Sequence, residues 1–230
     1  MRYFFCFLFC LIALIQFSFS ETLKTYYPSG KIKAIINLKD GVKYGEEKEY
    51  YENGKLKSIT NYRAGARHGV RKVYYPDDTL MSETTYYFNA QNGPAKQYYP
   101  NGKLRSIVNY KIDKKDGEAI AYYENGNIWS EFYYANDLRN GLCKTYYENG
   151  KLMSEINYVN DLREGPAKEY YENGNLMSEA NYVNDLKDGV AKEYYENGKI
   201  MNEYIYDMGI PVKEIKRYDK NGNLIKIEQL

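Results

Sequence analysis

Apolar and polar residues alternate with a period of two along most of this chain, and Gly or Asn interrupts the alternation about every twelve residues. A period of two is typical of β-strands, whereas an amphipathic helix needs a period near 3.6. The segment from Tyr146 to Leu152 reads YYENGKL, and its Asn-Gly pair tolerates positive φ at both central positions of a hairpin turn. The pattern therefore predicts short strands joined by tight turns.

The same pattern returns every 24 residues without an insertion, in units that begin near residues 26, 50, 74, 98, 122, 146, 170, 194 and 218. A glycine column keeps this spacing at Gly45, Gly69, Gly93, Gly117, Gly141, Gly165 and Gly189. Such units use up the chain and leave no residues for a second layer. The sequence therefore predicts an all-β fold, an elongated single-layer antiparallel β-meander of about nine 24-residue β-hairpin repeats over residues 21–230.

The turn at Asn149 and Gly150 sets the register of each hairpin. If these two residues form the whole loop, the opposite pairs are Glu148 with Lys151, Tyr147 with Leu152, Lys144 with Glu155, and Cys143 with Ile156. The same count pairs opposite charges in other units: Lys72 with Glu83, Lys168 with Glu179, and Lys192 with Glu203. Such pairs contribute roughly 0.2–1 kcal/mol each and support this register. The connection between units, from Val159 to Gly165, is predicted to be the longer loop.

The register divides the side chains between two faces. The packed face carries Gly141, Cys143, Tyr147, Leu152, Ser154, Ile156 and Tyr158. The polar face carries Lys144, Tyr146, Met153, Glu155 and Asn157. The last unit departs from the repeat at Lys213, Asp219 and Lys226, which predicts a polar cap on the final edge of the sheet.

The first twenty residues have the pattern of a signal peptide. Arg2 precedes an apolar run from Tyr3 to Ile15, and the small residues Ser18 and Ser20 suit cleavage after Ser20. An uncleaved anchor is the alternative, although the run is short for a membrane span. We therefore expect a signal peptide at 1–20, a repeat domain at 21–230, and an exported protein that is periplasmic, on the cell surface or secreted.

The charges are balanced beyond the signal peptide. Lys and Arg total 32 against 31 Asp and Glu, and Arg2 is the only charge in the first twenty residues. A neutral chain does not favour a nucleic-acid partner, and lipid binding is possible but not favoured. His68 is the single histidine and has no identifiable catalytic or metal-binding partners in the sequence, and Cys143 occupies a column of alanines, which is typical of a small core residue. We therefore expect no enzyme activity, no metal and no cofactor.

The units resemble the MORN repeat variant found in bacterial proteins described as YwqK-family antitoxins. The matching residues are the run YYENGKL at Tyr50 to Leu56, followed by Tyr62 and Gly69, and the resemblance spans nearly all of residues 24–228. It implies an elongated antiparallel sheet used for contact with proteins or lipids. The antitoxin description implies neutralisation of a toxin by binding.

One place on the polar face breaks the columns of the repeat. Ile120 stands in a column of lysines, Trp129 in one of Lys, Arg and Met, and Tyr133 in one that otherwise holds Asn or Thr, except Ile205. A two-residue loop at Asn125 and Gly126 would place Tyr122 opposite Trp129. The sequence therefore predicts a partner-binding cluster of Ile120, Tyr122, Trp129 and Tyr133 on one face, while the alternative is drift within a tolerant repeat.

The function that these observations favour is an exported, non-catalytic protein-binding or scaffold module with a protein partner, and self-association is possible. Two other functions stay open. One is a toxin-neutralising antitoxin, and the other is a lipid-binding protein of membrane surfaces.

Overall fold

The computed structural model describes residues 19–213 and 215–229, so the predicted signal peptide lies almost wholly outside it. The strands of the first half are β1 (Ser20–Tyr26), β2 (Ile32–Lys39), β3 (Val42–Tyr50), β4 (Leu56–Arg63), β5 (Ala66–Arg67), β6 (Gly69–Tyr74), β7 (Leu80–Tyr87), β8 (Ala90–Tyr98), β9 (Leu104–Lys111), β10 (Lys114–Tyr122) and β11 (Ile128–Ala135). Those of the second half are β12 (Leu138–Arg139), β13 (Gly141–Tyr146), β14 (Leu152–Val159), β15 (Leu162–Tyr170), β16 (Leu176–Val183), β17 (Leu186–Lys187), β18 (Gly189–Tyr194), β19 (Ile200–Asp207), β20 (Ile210–Pro211), β21 (Ile215–Tyr218) and β22 (Leu224–Glu228).

These strands form one open antiparallel sheet in which neighbours in the chain pair with each other. In four places a single strand is split by an irregularity, which gives the short segments β5, β12, β17 and β20. The predicted all-β meander of hairpin repeats is confirmed. Within the described ranges there is no helix, and thus none that could cross a membrane.

The two kinds of turn are the reverse of the prediction. The Asn-Gly turn is a three-residue loop, because the Tyr147 amide donates to the Lys151 carbonyl and the Gly150 amide donates to the Tyr147 carbonyl, each at 2.8 Å. Only Gly150 has a positive φ, of 85°. The connection between units is instead the tight two-residue turn: Asn160 and Asp161 both have positive φ, of 51° and 69°. The predictions of a two-residue loop at Asn149-Gly150 and a longer loop after Val159 were therefore wrong.

A bulge on the returning strand compensates for the longer loop. Tyr146 pairs with Leu152, Met153 is the extra residue, and Thr145 pairs with Ser154. Glu148 opposite Lys151 and Tyr147 opposite Leu152 are wrong pairs, but beyond the bulge the predicted register returns. Its pairs are confirmed for Lys144 with Glu155, Cys143 with Ile156, Lys72 with Glu83, Lys168 with Glu179, and Lys192 with Glu203.

Burial is confined to the packed face. The buried residues of the described chain all lie on it, and they are Ala34, Glu47, Ser58, Thr60, Ala119, Ser130, Cys143, Ala167, Tyr182, Ala191 and Asn202. Small residues lie opposite larger ones, as in the pairs Cys143 with Ile156 and Ala191 with Tyr204. Because there is no second layer among the described residues, these side chains are covered by their neighbours in the same sheet.

Two ladders of side chains join successive units. The second tyrosine of each pair donates its hydroxyl to the backbone carbonyl of the first tyrosine of the next unit, for example Tyr147 Oη to Tyr170 O at 2.6 Å. The same bond occurs at Tyr27, Tyr51, Tyr75, Tyr99, Tyr123, Tyr171 and Tyr195. These bonds link backbone to side chain across unit boundaries and make each unit dependent on the next.

The second ladder stacks cations on tyrosine rings of the packed face. The Arg139 guanidinium lies 4.0 Å from the centre of the Tyr158 ring, and that of Arg163 lies 4.1 Å from the centre of the Tyr182 ring. Arg139 Nε also lies 2.8 Å from Asp161 Oδ1 in the following turn. Hydrogen bonds from Arg139 hold the pKa of the Asp161 carboxyl below its usual range. The stacks fix the tight turns to the face of the sheet.

Candidate binding surfaces

The polar face is a regular network of Lys, Glu and Tyr. The first tyrosine of a unit donates its hydroxyl to a glutamate of the preceding unit, as in Tyr146 to Glu131 at 2.6 Å and Tyr170 to Glu155 at 2.9 Å. Lys72 contacts Glu83 across the strand pair, with Nζ 3.2 Å from Oε1. Burial, followed by the neighbouring glutamate, raises the pKa of Tyr146 and of Tyr170 to about 12.

In the middle of the sheet, one cross-strand pair of this network has lost both of its charged residues. Ile120 stands in the lysine column and pairs directly with Ile107. The column of Ile107 holds glutamate in five units, at Glu83, Glu131, Glu155, Glu179 and Glu203, and isoleucine in three others, at Ile35, Ile59 and Ile227. Tyr122 follows Ile120 on the same face. In other units the hydroxyl of this tyrosine donates a hydrogen bond to the glutamate fifteen residues earlier, as Tyr146 does to Glu131. For Tyr122 that position is occupied by Ile107.

Two more side chains extend this apolar area. A shallow hollow of about 300 Å³ is lined by Glu118, Ile120, Glu131, Phe132, Tyr133 and Leu142. Tyr133 is 48% exposed and Leu142 is 51% exposed. We call Ile107, Ile120, Tyr122, Tyr133 and Leu142 the central patch. The structure thus brings together three of the four predicted site residues, Ile120, Tyr122 and Tyr133.

Trp129 does not belong to the central patch. Tyr122 pairs with Ile128 rather than with Trp129, because Trp129 is the extra residue of the bulge that follows the three-residue loop. Its ring lies beside that of Tyr123, with 6.4 Å between centroids, and 51% of the residue is exposed. The equivalent Met177 lines a groove with residues of the packed face. The prediction that all four residues share one face was therefore wrong for Trp129.

Sequence reasoning missed Ile107 and Leu142. Both residues contact the rest of the central patch across a junction between units: Ile107 across the β9–β10 pair, and Leu142 across the β11–β13 pair. The register of these pairs depends on the connection between units, which was predicted to be a long loop. Counting from the tight turn at Ile112 and Asp113 would not have paired Ile107 with Ile120, because the register shifts by two residues between Lys115 and Ala119. The column of Ile107 also holds Ile35, Ile59 and Ile227, so a comparison within the column alone does not single out Ile107.

A second hollow, of about 480 Å³, lies on the packed face. Ala180 causes it: this column holds Ile36, Thr60, Thr84, Val108, Phe132, Ile156 and Tyr204 in other units, and Ala180 faces another alanine, Ala167. Met177 and Met201 stand at its rim. We call this hollow the Ala180 groove.

Cys143 and His68, the two residues considered for catalysis or metal binding, are both packed against neighbouring residues of the sheet. Cys143 is 3% exposed, and burial raises the pKa of its thiol, as expected for a core residue. His68 stacks with Tyr87 and Phe88 at centroid distances of 5.2 and 5.0 Å, and its Nδ1 atom is buried without a hydrogen-bond partner. Among the described residues, no group of three or more His, Cys, Asp and Glu side chains is arranged to hold a metal ion.

Comparison with known families decides what kind of repeat this is. The MORN repeat variant matches eight segments, at residues 22–40, 43–64, 67–86, 91–111, 115–136, 139–160, 163–184 and 187–208. The chain belongs to the MORN repeat variant family. No curated protein matches the chain.

Solved structures with some similarity to this MORN repeat chain include two forms of the TCP10 domain of Danio rerio CPAP. The wild-type domain in complex with a peptide of Danio rerio STIL is 14% identical, with a TM-score of 0.33 over 91% of this chain and 100% of that chain. The E1021V mutant is 16% identical, with a TM-score of 0.27 over 90% and 99%. A porin-like protein from Bacteroides uniformis is 9% identical, with a TM-score of 0.20 over 91% and 96%.

The central patch lies across three of the matched MORN segments. Ile107 belongs to the segment 91–111, Ile120, Tyr122 and Tyr133 to 115–136, and Leu142 to 139–160. The residues that define the repeat are kept in these segments, as the Asn-Gly turns at Asn101 and Asn125 and the glycines Gly93 and Gly117 show. The patch therefore varies only the solvent-facing positions of MORN units whose framework is unchanged.

Proposed function

We propose that this MORN repeat protein is an exported, non-catalytic scaffold that binds a protein partner through the central patch. The observation that carries the proposal is the pair Ile107 and Ile120, which is aliphatic on both strands, whereas every other equivalent pair between successive units of the described chain contains a lysine. An exposed apolar area rimmed by polar residues is typical of a protein-binding site.

The composition of the patch supports a protein as the partner. Tyr122 and Tyr133 supply large rings with polar tips, and the aliphatic residues beside them lose water on contact. Glu118 and Glu131 border the hollow and would form its polar rim. The glutamates of the polar face are held by hydrogen bonds from tyrosines or by lysines, which supports a binding role rather than acid–base catalysis.

The test is a double variant that restores the repeat. Ile107→Glu with Ile120→Lys places a charged pair where neighbouring units have one, so the fold should be unchanged. The wild-type chain is used to capture and identify a partner from envelope extracts, and the affinity of the purified partner is then measured. We expect the double variant to bind at least about tenfold more weakly, equal to about 1.4 kcal/mol.

The control is Ile59→Glu, in the same column two units away, where Ile59 pairs with Lys48 and Lys72. This variant should bind as the wild type does. Equal affinity of all three proteins would show that the central patch is only drift within the repeat.

Export and the two other functions have their own readouts. N-terminal sequencing of exported material should begin at Glu21, and an intact Met1 in a cytoplasmic fraction would contradict export. A captured partner that arrests growth unless this chain is present would favour the antitoxin. Salt-sensitive binding to anionic vesicles, with no protein partner, would favour the lipid-binding protein.

A further inference from the structure

The sheet is open, so its first and last strands each have one unpaired edge. Among the described residues, β1 pairs only with β2, and β22 pairs only with β21. The expected polar cap is only partly present, because β22 exposes Leu224, Ile225 and Ile227, with Ile225 at 64% and Ile227 at 45% exposure. On β1, Leu23 and Tyr26 are exposed as well. Exposed apolar edge strands are templates for pairing with another chain.

The two free edges have complementary positions in the 24-residue repeat. β22 is equivalent to β19, since Ile227 comes 24 residues after Glu203. β1 is equivalent to β21, since Lys24 occupies the column of Lys216. Inside the chain β19 pairs with β21, with Glu203 opposite Lys216. The edge strands are therefore the two halves of a junction that occurs between successive units of this sheet.

The backbone direction also fits. The Val212 amide donates to the Ile205 carbonyl across the junction at 2.9 Å. Because peptide groups of alternate residues in a strand point the same way, those of Glu203 point toward β21. Ile227 occupies the column of Glu203, and Lys24 occupies the column of Lys216. The peptide groups of Ile227 and Lys24 therefore point away from their own sheet, toward the free edges. They are available to bond to each other across two copies.

We propose that the chain associates head to tail, with β22 of one copy pairing with β1 of a second copy, so that Ile227 lies opposite Lys24 and the repeat continues from copy to copy. Tyr26 of the second copy then lies over Ile227 of the first. At the equivalent place in an internal junction, a tyrosine contacts a glutamate, as Tyr218 contacts Glu203. Tyr26 and Ile227 thus cover each other's apolar surface. In internal junctions the second tyrosine of a unit donates its hydroxyl to a backbone carbonyl of the next unit, as Tyr195 does. Asp219 stands in this column and cannot donate such a bond, so the contact between copies is weaker than an internal junction.

A contact between two different edges leaves one edge of each partner free, so it adds further copies instead of stopping at a dimer. The exported protein should therefore show a mass in sedimentation velocity that keeps rising with concentration, beyond twice the monomer mass. A single mass equal to the monomer at all concentrations up to the millimolar range would overturn the proposal.

Two proline variants separate the edges. Ile227→Pro removes the outward amide of β22, and Lys24→Pro removes that of β1, without loss of the hydrogen bonds inside the sheet. Each variant alone should be monomeric, with association weakened at least tenfold. An equal mixture should form 1:1 dimers and nothing larger, because each variant keeps one intact edge. Association of either variant by itself would show pairing of like edges and contradict the head-to-tail contact.

A disulfide test applies even if a proline disturbs the fold. Lys226 and Thr25 would be opposite each other across the contact, as Asn202 and Arg217 are inside the chain. The double variant Thr25→Cys with Lys226→Cys should give a ladder of oxidised oligomers, and each single cysteine variant should give none. Absence of the ladder, with both cysteines reactive toward a thiol reagent, would refute the proposed register.

Discussion

The two faces of this sheet share a backbone but obey different constraints. On the packed face, Ala119, Cys143, Ala167 and Ala191 are buried at successive 24-residue steps. On the polar face, the adjacent column changes from Lys96 to Ile120 and back to Lys144 with no change in strand pairing. A single-layer sheet therefore fixes its repeat on one face and can vary its surface chemistry on the other.

The sharpest test of this difference exchanges neighbouring residues on opposite faces. Ala191→Leu adds volume opposite Tyr204 on the packed face and should lower the free energy of unfolding by about 2 kcal/mol. Lys192→Leu, one residue later on the polar face, should change it by less than about 0.5 kcal/mol. Urea denaturation of both variants gives the comparison. Equal losses would mean that both faces are packed alike.

A smaller loss is expected from the tyrosine ladder. Tyr147→Phe removes the hydroxyl that donates to the Tyr170 carbonyl and should cost about 1 kcal/mol. Tyr122→Phe removes a hydroxyl that has Ile107 in the position of the usual glutamate acceptor. This variant should lower the free energy of unfolding by less than about 0.5 kcal/mol. Thermal unfolding at neutral pH measures both. A Tyr122→Phe variant as unstable as Tyr147→Phe would contradict the distinction between these hydroxyls.

Alkaline pH should weaken the polar face in a defined window. The folded chain raises the pKa of Tyr170 from 10.0 to about 12, so it binds the phenolic proton more tightly than the unfolded chain does. The resulting stabilisation is complete below pH 10 and is lost as the pH rises toward 12. The difference in urea midpoint between wild type and Tyr170→Phe should therefore shrink from pH 9 to pH 12. A constant difference would show that burial and Glu155 do not hold this proton.

The smallest expected effect is a gain in stability at the Ala180 groove. Ala180→Ile restores the residue type of Ile156 and should raise the free energy of unfolding by about 0.5 kcal/mol, because it fills the groove. Asn181→Ile, on the other face, should not raise it. A loss of stability in Ala180→Ile would mean that the groove has already closed by local movement of the strands.

The strands and most of their register were predictable from the sequence. The columns of Lys144 and Glu155 and of Cys143 and Ile156 identify directly opposite residues, and a regular repeat gives the same answer in each unit. The turn was not predictable in this way. Asn-Gly fits both a two-residue turn and a three-residue loop with Gly at positive φ, and the bulge at Met153 restores the same register afterwards.

The candidate site was therefore predicted in part. Ile120 and Tyr133 lie beyond the bulge, where the predicted register holds, whereas Trp129 is the bulged residue itself. A bulge redirects a side chain, and that effect is invisible to a count of residues from the turn. Ile107 was missed because the register shifts by two residues between Lys115 and Ala119, which a count from the turn does not show.

The order of the strands has a mechanical consequence. β1 and β22 stand at opposite edges of the sheet, so a force applied to the two ends pulls across the strands. Such a load falls on one strand pair at a time, and the sheet would open like a zipper rather than resist as a whole. Each repeat of 24 residues that unfolds would release about 80 Å of chain. Stretched between two attachment points, this protein would act as an extensible tether that lengthens in equal steps at low force.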